Sequence, residues 1–397
     1  MKKLHIIWLM LLFFSMAAWS QESEMSVAER NAAMGFNDTI DRLDPDFVWV
    51  SLCVADPTDW KQDALGVMGH AFLRLQCPIF GLDNCFSYEG ESVNDNFFRY
   101  LSGQTKMGMF AVPTDIYLED YRKWNRSVHE YRLALPPEAE LRLWEIMDNH
   151  TTNDITLRHD LNKYGCAITV VRYVKQALKG EPIVYAPNSE LEHMTRREIG
   201  YKSLENQPWL RLTSLLFTNN SADKNLTIDE KLIIPADLAT VWQQATLRGK
   251  PFATYVGDIV KGAPINSSKP WFTPMMLAIL ILMITIGFAH TKYPYWDWIL
   301  LGVQALFGTL LIVLWIIMTH FGGPIFIIMV LLNPLPAMAW YWRKYWASAY
   351  AALLLVGVLI LTFWPHMVVD PFFLVITLSY IVLFAKDDVK RFIASRK

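Results

Sequence analysis

The sequence predicts an α+β exported domain followed by an all-α bundle of about five membrane-spanning helices. Three observations support this prediction: an apolar segment at the N-terminus, a middle region of ordinary soluble composition, and a series of long apolar stretches after residue 270. The 397-residue chain is 53% hydrophobic and 14% aromatic but only 19% charged. This composition excludes a disordered protein, because disordered chains are poor in aromatic residues.

The charge balance and the cysteine count exclude two further classes. The chain has 36 Lys and Arg against 38 Asp and Glu, which gives a formal net charge of −2. Nucleic-acid binders usually carry a basic excess or patch, so we expect no nucleic-acid partner. Four cysteines in a chain of this length are too few for a disulfide-rich scaffold.

Residues 1–20 predict a secretory signal peptide. Two lysines follow the initial methionine, Ile6–Met16 forms an apolar core, and Ala18 and Ser20 are the small residues that a signal peptidase reads. Cleavage after them would start the mature chain at Gln21. The alternative interpretation is an uncleaved N-terminal anchor.

Residues 21–268 predict one exported domain of mixed α and β structure. The stretches Phe47–Val54 and Gly69–Leu75 are short apolar runs typical of buried strands. A helix should run from Pro137 to about His150, because acidic residues occupy its first turn, as the helix dipole prefers. A second helix should cover Gly165–Leu178.

Five apolar stretches within residues 271–385 predict transmembrane helices, because each has roughly the length that crosses a bilayer. Five Lys and Arg residues in the tail, residues 386–397, place that tail in the cytoplasm by the positive-inside rule. The sequence therefore predicts a multi-pass protein of a bacterial inner membrane, with its soluble domain in the periplasm. The stretches are Trp271–His290, Trp296–Thr319, Gly322–Trp342, Trp346–Trp364 and Val368–Phe384.

Cys166 and His70 are the strongest candidates for chemistry. His70 stands at the head of an apolar strand, and Cys166 stands where a helix should begin. The helix dipole and unpaired backbone N–H groups favour the thiolate at that position, and a nearby histidine can accept its proton and return it to a leaving group. These residue types fit nucleophilic acyl transfer. The alternative is a structural histidine and a cysteine that packs as a small hydrophobic residue.

The segments around this pair resemble the cysteine-dependent periplasmic domain of the Lnb-type lipoprotein N-acyltransferases. The resemblance covers about residues 47–180 and implies a permuted papain-like fold, similar to the NlpC/P60 group, with Cys166 and His70 as catalytic residues. A multi-helix membrane tail is also typical of that family. The matching segments are Val48–Val54, Gly69–Arg74, Phe86–Gly90, Asn96–Phe98 and Gly165–Ala167.

The resemblance implies a membrane acyltransferase. We expect no cofactor, and no metal either, because the sequence has no HExxH or CxxC spacing. Cys166 would attack an ester of a phospholipid acyl donor with His70 as the base, and the thioester would pass its acyl group to the lipidated N-terminal cysteine of a diacylglyceryl lipoprotein. Lipoproteins, phospholipid and the membrane bilayer are therefore the expected partners. Two alternatives stay open: a membrane-tethered cysteine hydrolase such as a cell-wall peptidase or amidase, and a non-catalytic membrane-anchored binding domain.

A third polar group usually orients the imidazole in sites of this kind. The candidates follow the histidine strand, and we favour Tyr88 as the third catalytic residue because it occupies the tyrosine position of the family; the alternative is a tyrosine that only packs in the core. The other candidates are Ser87, Glu89 and Asn84.

Three further cysteines raise the question of a disulfide. In an oxidising compartment two of them could pair, and Cys77 with Cys85 would close the shortest loop. Cys53 would then stay free, and the sequence leaves the connectivity open.

Overall fold

The computed structural model describes most of the chain between residues 26 and 395. The signal peptide predicted over residues 1–20 lies outside the described residues, as do the apolar stretch Gly322–Trp342 and about half of Trp346–Trp364. Apart from a few single positions, the described residues are 26–33, 38–59, 66–90, 104–158, 165–187, 190–217, 220–263, 270–289, 295–317, 352–357 and 368–395.

A seven-stranded antiparallel sheet forms the centre of the fold. The described strands are β1 (Trp49–Ala55), β2 (His70–Cys77), β3 (Leu82–Gly90), β4 (Lys106–Pro113), β5 (Val128–Leu133), β6 (Thr156–Arg158), β7 (Thr246–Leu247), β8 (Lys250–Pro251) and β9 (Ala253–Val260). The strand order of the sheet is β6-β4-β3-β2-β1-β5-β9, and β7 and β8 form a small hairpin.

The two central strands begin and end within two residues of their predicted limits. Leu52 lies opposite Leu73 and Cys53 opposite Phe72, and all four side chains are buried. A strand that is buried on both faces needs a nearly continuous run of β-branched, aliphatic or aromatic residues, and both strands have one.

Helices cover both faces of this sheet. The helices with described bounds are α1 (Val27–Ala33), α2 (Thr114–Tyr117), α3 (Glu119–Lys123), α4 (Pro137–Thr152), α5 (Cys166–Ala177), α6 (Arg196–Ser203), α7 (Pro208–Phe217), α8 (Ile228–Lys231), α9 (Pro235–Gln244), α10 (Pro274–Ala289), α11 (Tyr295–Ile317) and α12 (Pro371–Ser395). On one face, α4, α5 and α9 share the main apolar core with the sheet. On the other face, Phe72 of β2 packs against Leu118, which lies between α2 and α3, and against Tyr121 of α3.

The C-terminal helices form a second apolar cluster that includes α7. Two polar contacts link the helices of this cluster to one another and to α6. The Tyr201 hydroxyl on α6 donates to Asp370 at 2.7 Å, just before α12, and Lys386 on α12 pairs with Asp297 on α11. These contacts attach the C-terminal helices to one another and to the helices beside the sheet.

The prediction of a transmembrane bundle is wrong. Among the helices that the structure describes, none combines the length and the apolar character needed to cross a membrane. Helix α10, for example, has 16 residues and reaches about 24 Å, whereas a hydrocarbon layer is about 30 Å thick. The predicted fold, which joined a permuted papain-like domain to five transmembrane helices, is therefore corrected to an α+β fold with a seven-stranded antiparallel sheet. The predicted multi-pass location in a bacterial inner membrane is wrong for the same reason.

Candidate active site

His70 and Cys166 meet at one end of the sheet. His70 is the first residue of β2, directly after Gly69, whose φ is +90°. A Cβ on residue 69 would lie 2.9 Å from the carbonyl oxygen of Ala55, so only glycine fits this close approach without displacing the strand. The Gly-His pair of the sequence therefore places the imidazole beside the end of β1.

Cys166 is the first residue of α5, and its sulfur lies among hydrogen-bond donors. Gly165 caps the helix in an extended conformation, so the first N–H groups of α5 are left without helical acceptors. The backbone N–H groups of Ala167 and Ala71 and the side chain of His70 all act on the Cys166 sulfur and favour its charged form. This environment is suited to a thiolate.

Each member of the pair stabilises the charged form of the other. Burial alone would raise the pKa of Cys166, but the charge and hydrogen bond of His70, together with the two backbone N–H groups, hold it below the ordinary thiol value. Burial would likewise lower the pKa of His70, and the Cys166 thiolate and the Glu89 carboxylate raise it above the ordinary value. The arrangement favours a thiolate–imidazolium pair.

The group that contacts His70 from β3 is Ser87. The Ser87 hydroxyl lies 2.8 Å from His70 Nε2 and is fully buried. Tyr88, which we favoured as the third group, is the next residue along the strand, and alternation turns its side chain to the other face of the sheet. There it belongs to the main apolar core with Ala167 of α5. The structure thus brings Cys166 and His70 together with Ser87.

Three residues that the sequence analysis did not single out surround the pair. Tyr117, at the end of α2, donates its hydroxyl hydrogen to Glu89 at 2.6 Å, and its oxygen lies 3.4 Å from that of Tyr121 on α3. Arg126 stacks on the Tyr121 ring at 5.3 Å and its charge acts on His70. The only sequence signal for the tyrosines was their spacing of four residues, which places two side chains on one side of a helical segment.

The other three cysteines lie away from this chemistry. All four cysteines belong to the described part of the chain and carry free thiols. Cys53, Cys77 and Cys85 are completely buried, and burial raises the pKa of each, that of Cys85 to about 12. Of the four thiols, only Cys166 is therefore both accessible and activated.

Within the described ranges, no group of three or more His, Cys, Asp or Glu side chains has an arrangement that could hold a metal ion. A second histidine with carboxylate partners does occur on β5. His129 Nδ1 lies 2.6 Å from Asp258 and its Nε2 lies 3.1 Å from Asp56. These contacts tie β5 to β9 and to the end of β1.

The comparisons with known proteins give no match: none was found among protein-family models, curated proteins or solved structures. The resemblance to the lipoprotein N-acyltransferases therefore stays a prediction that rests on the segments quoted above.

Proposed function

We propose that this protein is a cysteine-dependent acyltransferase that carries the acyl group as a thioester on Cys166. The single observation that supports this proposal is the contact between an activated thiol at the start of α5 and the imidazole of His70. A thiolate beside an imidazolium supplies both the nucleophile and the acid that an ester substrate requires.

The proposed reaction has two half-reactions. The Cys166 thiolate attacks the carbonyl carbon of an ester, the C–O bond breaks, and the His70 imidazolium gives its proton to the departing alkoxide. An amine then attacks the thioester, His70 takes a proton from that amine, and the C–S bond breaks to restore the thiolate. The net change transfers the acyl group from oxygen to nitrogen.

For the donor and the acceptor we propose a phospholipid ester and the free α-amino group of a diacylglyceryl-cysteine at the N-terminus of a lipoprotein. The support for this choice is the resemblance carried by the segments around His70 and Cys166. Water in place of the amine would make the same site a hydrolase, so the acceptor has to be tested separately from the thioester.

The thioester is tested by mass spectrometry of the full-length protein mixed with phospholipid. We expect one added acyl group on the peptide that contains Cys166, labile to neutral hydroxylamine. It should be absent in Cys166→Ala and retained in Cys77→Ala, which removes a buried thiol elsewhere. No adduct on a folded wild-type protein would refute catalysis through Cys166 and favour the non-catalytic alternative.

The acceptor is tested in cells that lack their own lipoprotein N-acylating enzyme. Expression of the wild-type chain should convert lipoprotein N-termini to the N-acylated form, and the Cys166→Ala variant should leave them unmodified. If the thioester forms in vitro but the termini stay free and fatty acid accumulates, the hydrolase alternative replaces this proposal.

A further inference from the structure

A chain of polar side chains leads from the active-site imidazole to a carboxylate on the neighbouring strand. Ser87 contacts His70 Nε2 at 2.8 Å, the Ser87 side chain acts on the Tyr117 hydroxyl, and Tyr117 donates to Glu89 at 2.6 Å. Ser87 is completely buried, and the other members are partly buried. The members come from β2, β3 and α2, so only the folded chain brings them together.

The direction of every hydrogen bond in this chain follows from its last member. A carboxylate can only accept, so the hydroxyl hydrogen of Tyr117 points to Glu89. The Tyr117 oxygen then accepts from the Ser87 hydroxyl, and the Ser87 oxygen in turn accepts from an Nε2–H of His70. The proton therefore sits on Nε2, and the other ring nitrogen, Nδ1, is left for the Cys166 sulfur.

We infer that Ser87, Tyr117 and Glu89 form a hydrogen-bonded relay that fixes the His70 tautomer and stabilises its imidazolium form. These are positioning residues, because Tyr117 and Glu89 act on the thiol only through His70. The relay supplies the orienting function that a single amide or carboxylate fulfils in other thiol and serine enzymes. The inference rests on the proposed thiol chemistry of Cys166 and adds three residues to it.

The charged and titratable groups around His70 come from α2, α3, α5, β3 and the segment before β5. Cys166 on α5 and Glu89 on β3 favour the imidazolium, whereas Arg126, before β5, opposes it. Tyr117 and Tyr121, from α2 and α3, lie beside Glu89 and stay protonated at neutral pH, because burial raises the pKa of both hydroxyls. Glu89 is thus the negative group whose removal should weaken the imidazolium without touching the sulfur.

The test measures the rate of Cys166 alkylation by iodoacetamide from pH 5 to 9, resolved by peptide mass spectrometry. Glu89→Gln keeps an acceptor for Tyr117 but removes the charge, and Tyr117→Phe breaks the relay. Both should slow alkylation at pH 6 by about three- to tenfold, which corresponds to about 0.5–1 unit in the thiol pKa, and move the midpoint to higher pH. The matched control Tyr255→Phe breaks a tyrosine–carboxylate bond to Asp258 elsewhere and should overlay the wild type.

Profiles of folded Glu89→Gln and Tyr117→Phe that overlay the wild type would overturn the inference. Should either variant unfold, the wild-type protein still decides the matter. Nitrogen-15 NMR of its histidines should show a proton on Nε2 of His70, and an unprotonated Nε2 that accepts from Ser87 would contradict the relay. Alkylation needs no acyl donor, so a shifted profile without acyl transfer would sink only the proposed function. Acyl transfer with overlaid profiles would sink only the relay.

Discussion

At the scale of single residues, the charge state of the Cys166–His70 pair should govern the pH dependence of activity. The thiol must be ionised to attack, and the imidazole must be protonated to release the leaving group. The pKa of Cys166 lies below its ordinary value and that of His70 above it. The two shifts widen the pH window in which both groups are in the active form.

We therefore expect a bell-shaped profile of kcat/KM for thioester formation. Its acid limb should lie below the ordinary thiol pKa of about 8.5, and its alkaline limb above the ordinary imidazole pKa of about 6.5. Stopped-flow or quenched mass spectrometry between pH 5 and 10 measures it, with Cys77→Ala as the control. A single rise with a midpoint near pH 8.5 would contradict an ion pair.

Glu140 is a buried carboxyl in the first turn of α4 that should limit stability at high pH. Burial raises its pKa to about 8, and the charge of Arg132 offsets this only in part. The unfolded chain loses this proton near pH 4.5, whereas the folded chain holds it until about pH 8. The stability that the protonated Glu140 carboxyl gives the folded state is therefore present in full below pH 4.5 and is lost as the pH rises towards 8.

Glu140→Gln should raise the free energy of unfolding at pH 9 by roughly 1–3 kcal/mol and change it little at pH 4.5. Urea denaturation at the two pH values measures both numbers. Glu138→Gln is the matched control, because Glu138 occupies the same helical turn but is exposed. An equal effect of the two substitutions would show that burial of Glu140 is not the cause.

At the scale of elements, the junction between β1 and β2 positions the candidate active site. Gly69 has a positive φ and no room for a side chain, because a Cβ there would lie 2.9 Å from the Ala55 carbonyl oxygen. Gly180, after α5, has nearly the same φ, +91°, and faces open space. Substitutions at these two glycines therefore distinguish the cost of backbone strain, which both positions share, from the cost of steric contact, which only Gly69 has.

Gly180→Ala should cost about 1 kcal/mol of stability, from backbone strain alone. Gly69→Ala should cost at least 1–2 kcal/mol more, an estimate based on the usual cost of overpacking, and should also slow Cys166 alkylation because His70 moves. Urea denaturation and iodoacetamide labelling measure the two effects. Equal destabilisation by both substitutions would argue against the close approach at Ala55.

At the scale of the whole molecule, a buried ion pair holds the C-terminal helices together. The side chains of Lys386 and Asp297 are 9% and 4% exposed. Loss of one partner leaves a buried charge without its counterion, which typically costs 3–5 kcal/mol, whereas replacement of both by apolar groups is often neutral.

Lys386→Met should therefore destabilise the protein by about 3–5 kcal/mol, and the double variant Lys386→Met with Asp297→Leu should recover most of this loss. Lys202→Met is the control, since its pair with Glu190 is exposed to solvent and should contribute little to stability. Thermal and urea unfolding of the wild type, the single variant, the double variant and Lys202→Met measure these differences in stability. A double variant as unstable as Lys386→Met would refute the stabilising role of the ion pair.

Short-range signals in the sequence were enough to locate the local features of the site. The Gly-His motif at the head of a strand is a local signal because its glycine must take a positive φ. The Gly-Cys motif is a local signal because its glycine caps the start of a helix. The same local character explains the error at the C-terminus. Hydropathy detects apolar stretches, but it does not determine where helices such as α10 begin and end, and the described helices are not long and apolar enough to cross a membrane.

The sequence by itself determined the two candidate residues of the thiol–imidazole pair, the central strands and the helix that carries Cys166. Only the tertiary structure decided which group contacts His70, because Ser87 and Tyr88 differ by one position and the register of β3 selects the face each side chain takes. Tyr117 reaches Glu89 across 28 residues of chain through the packing of α2 on the sheet. Contacts of that range depend on how the layers pack, and that information is spread over the whole core.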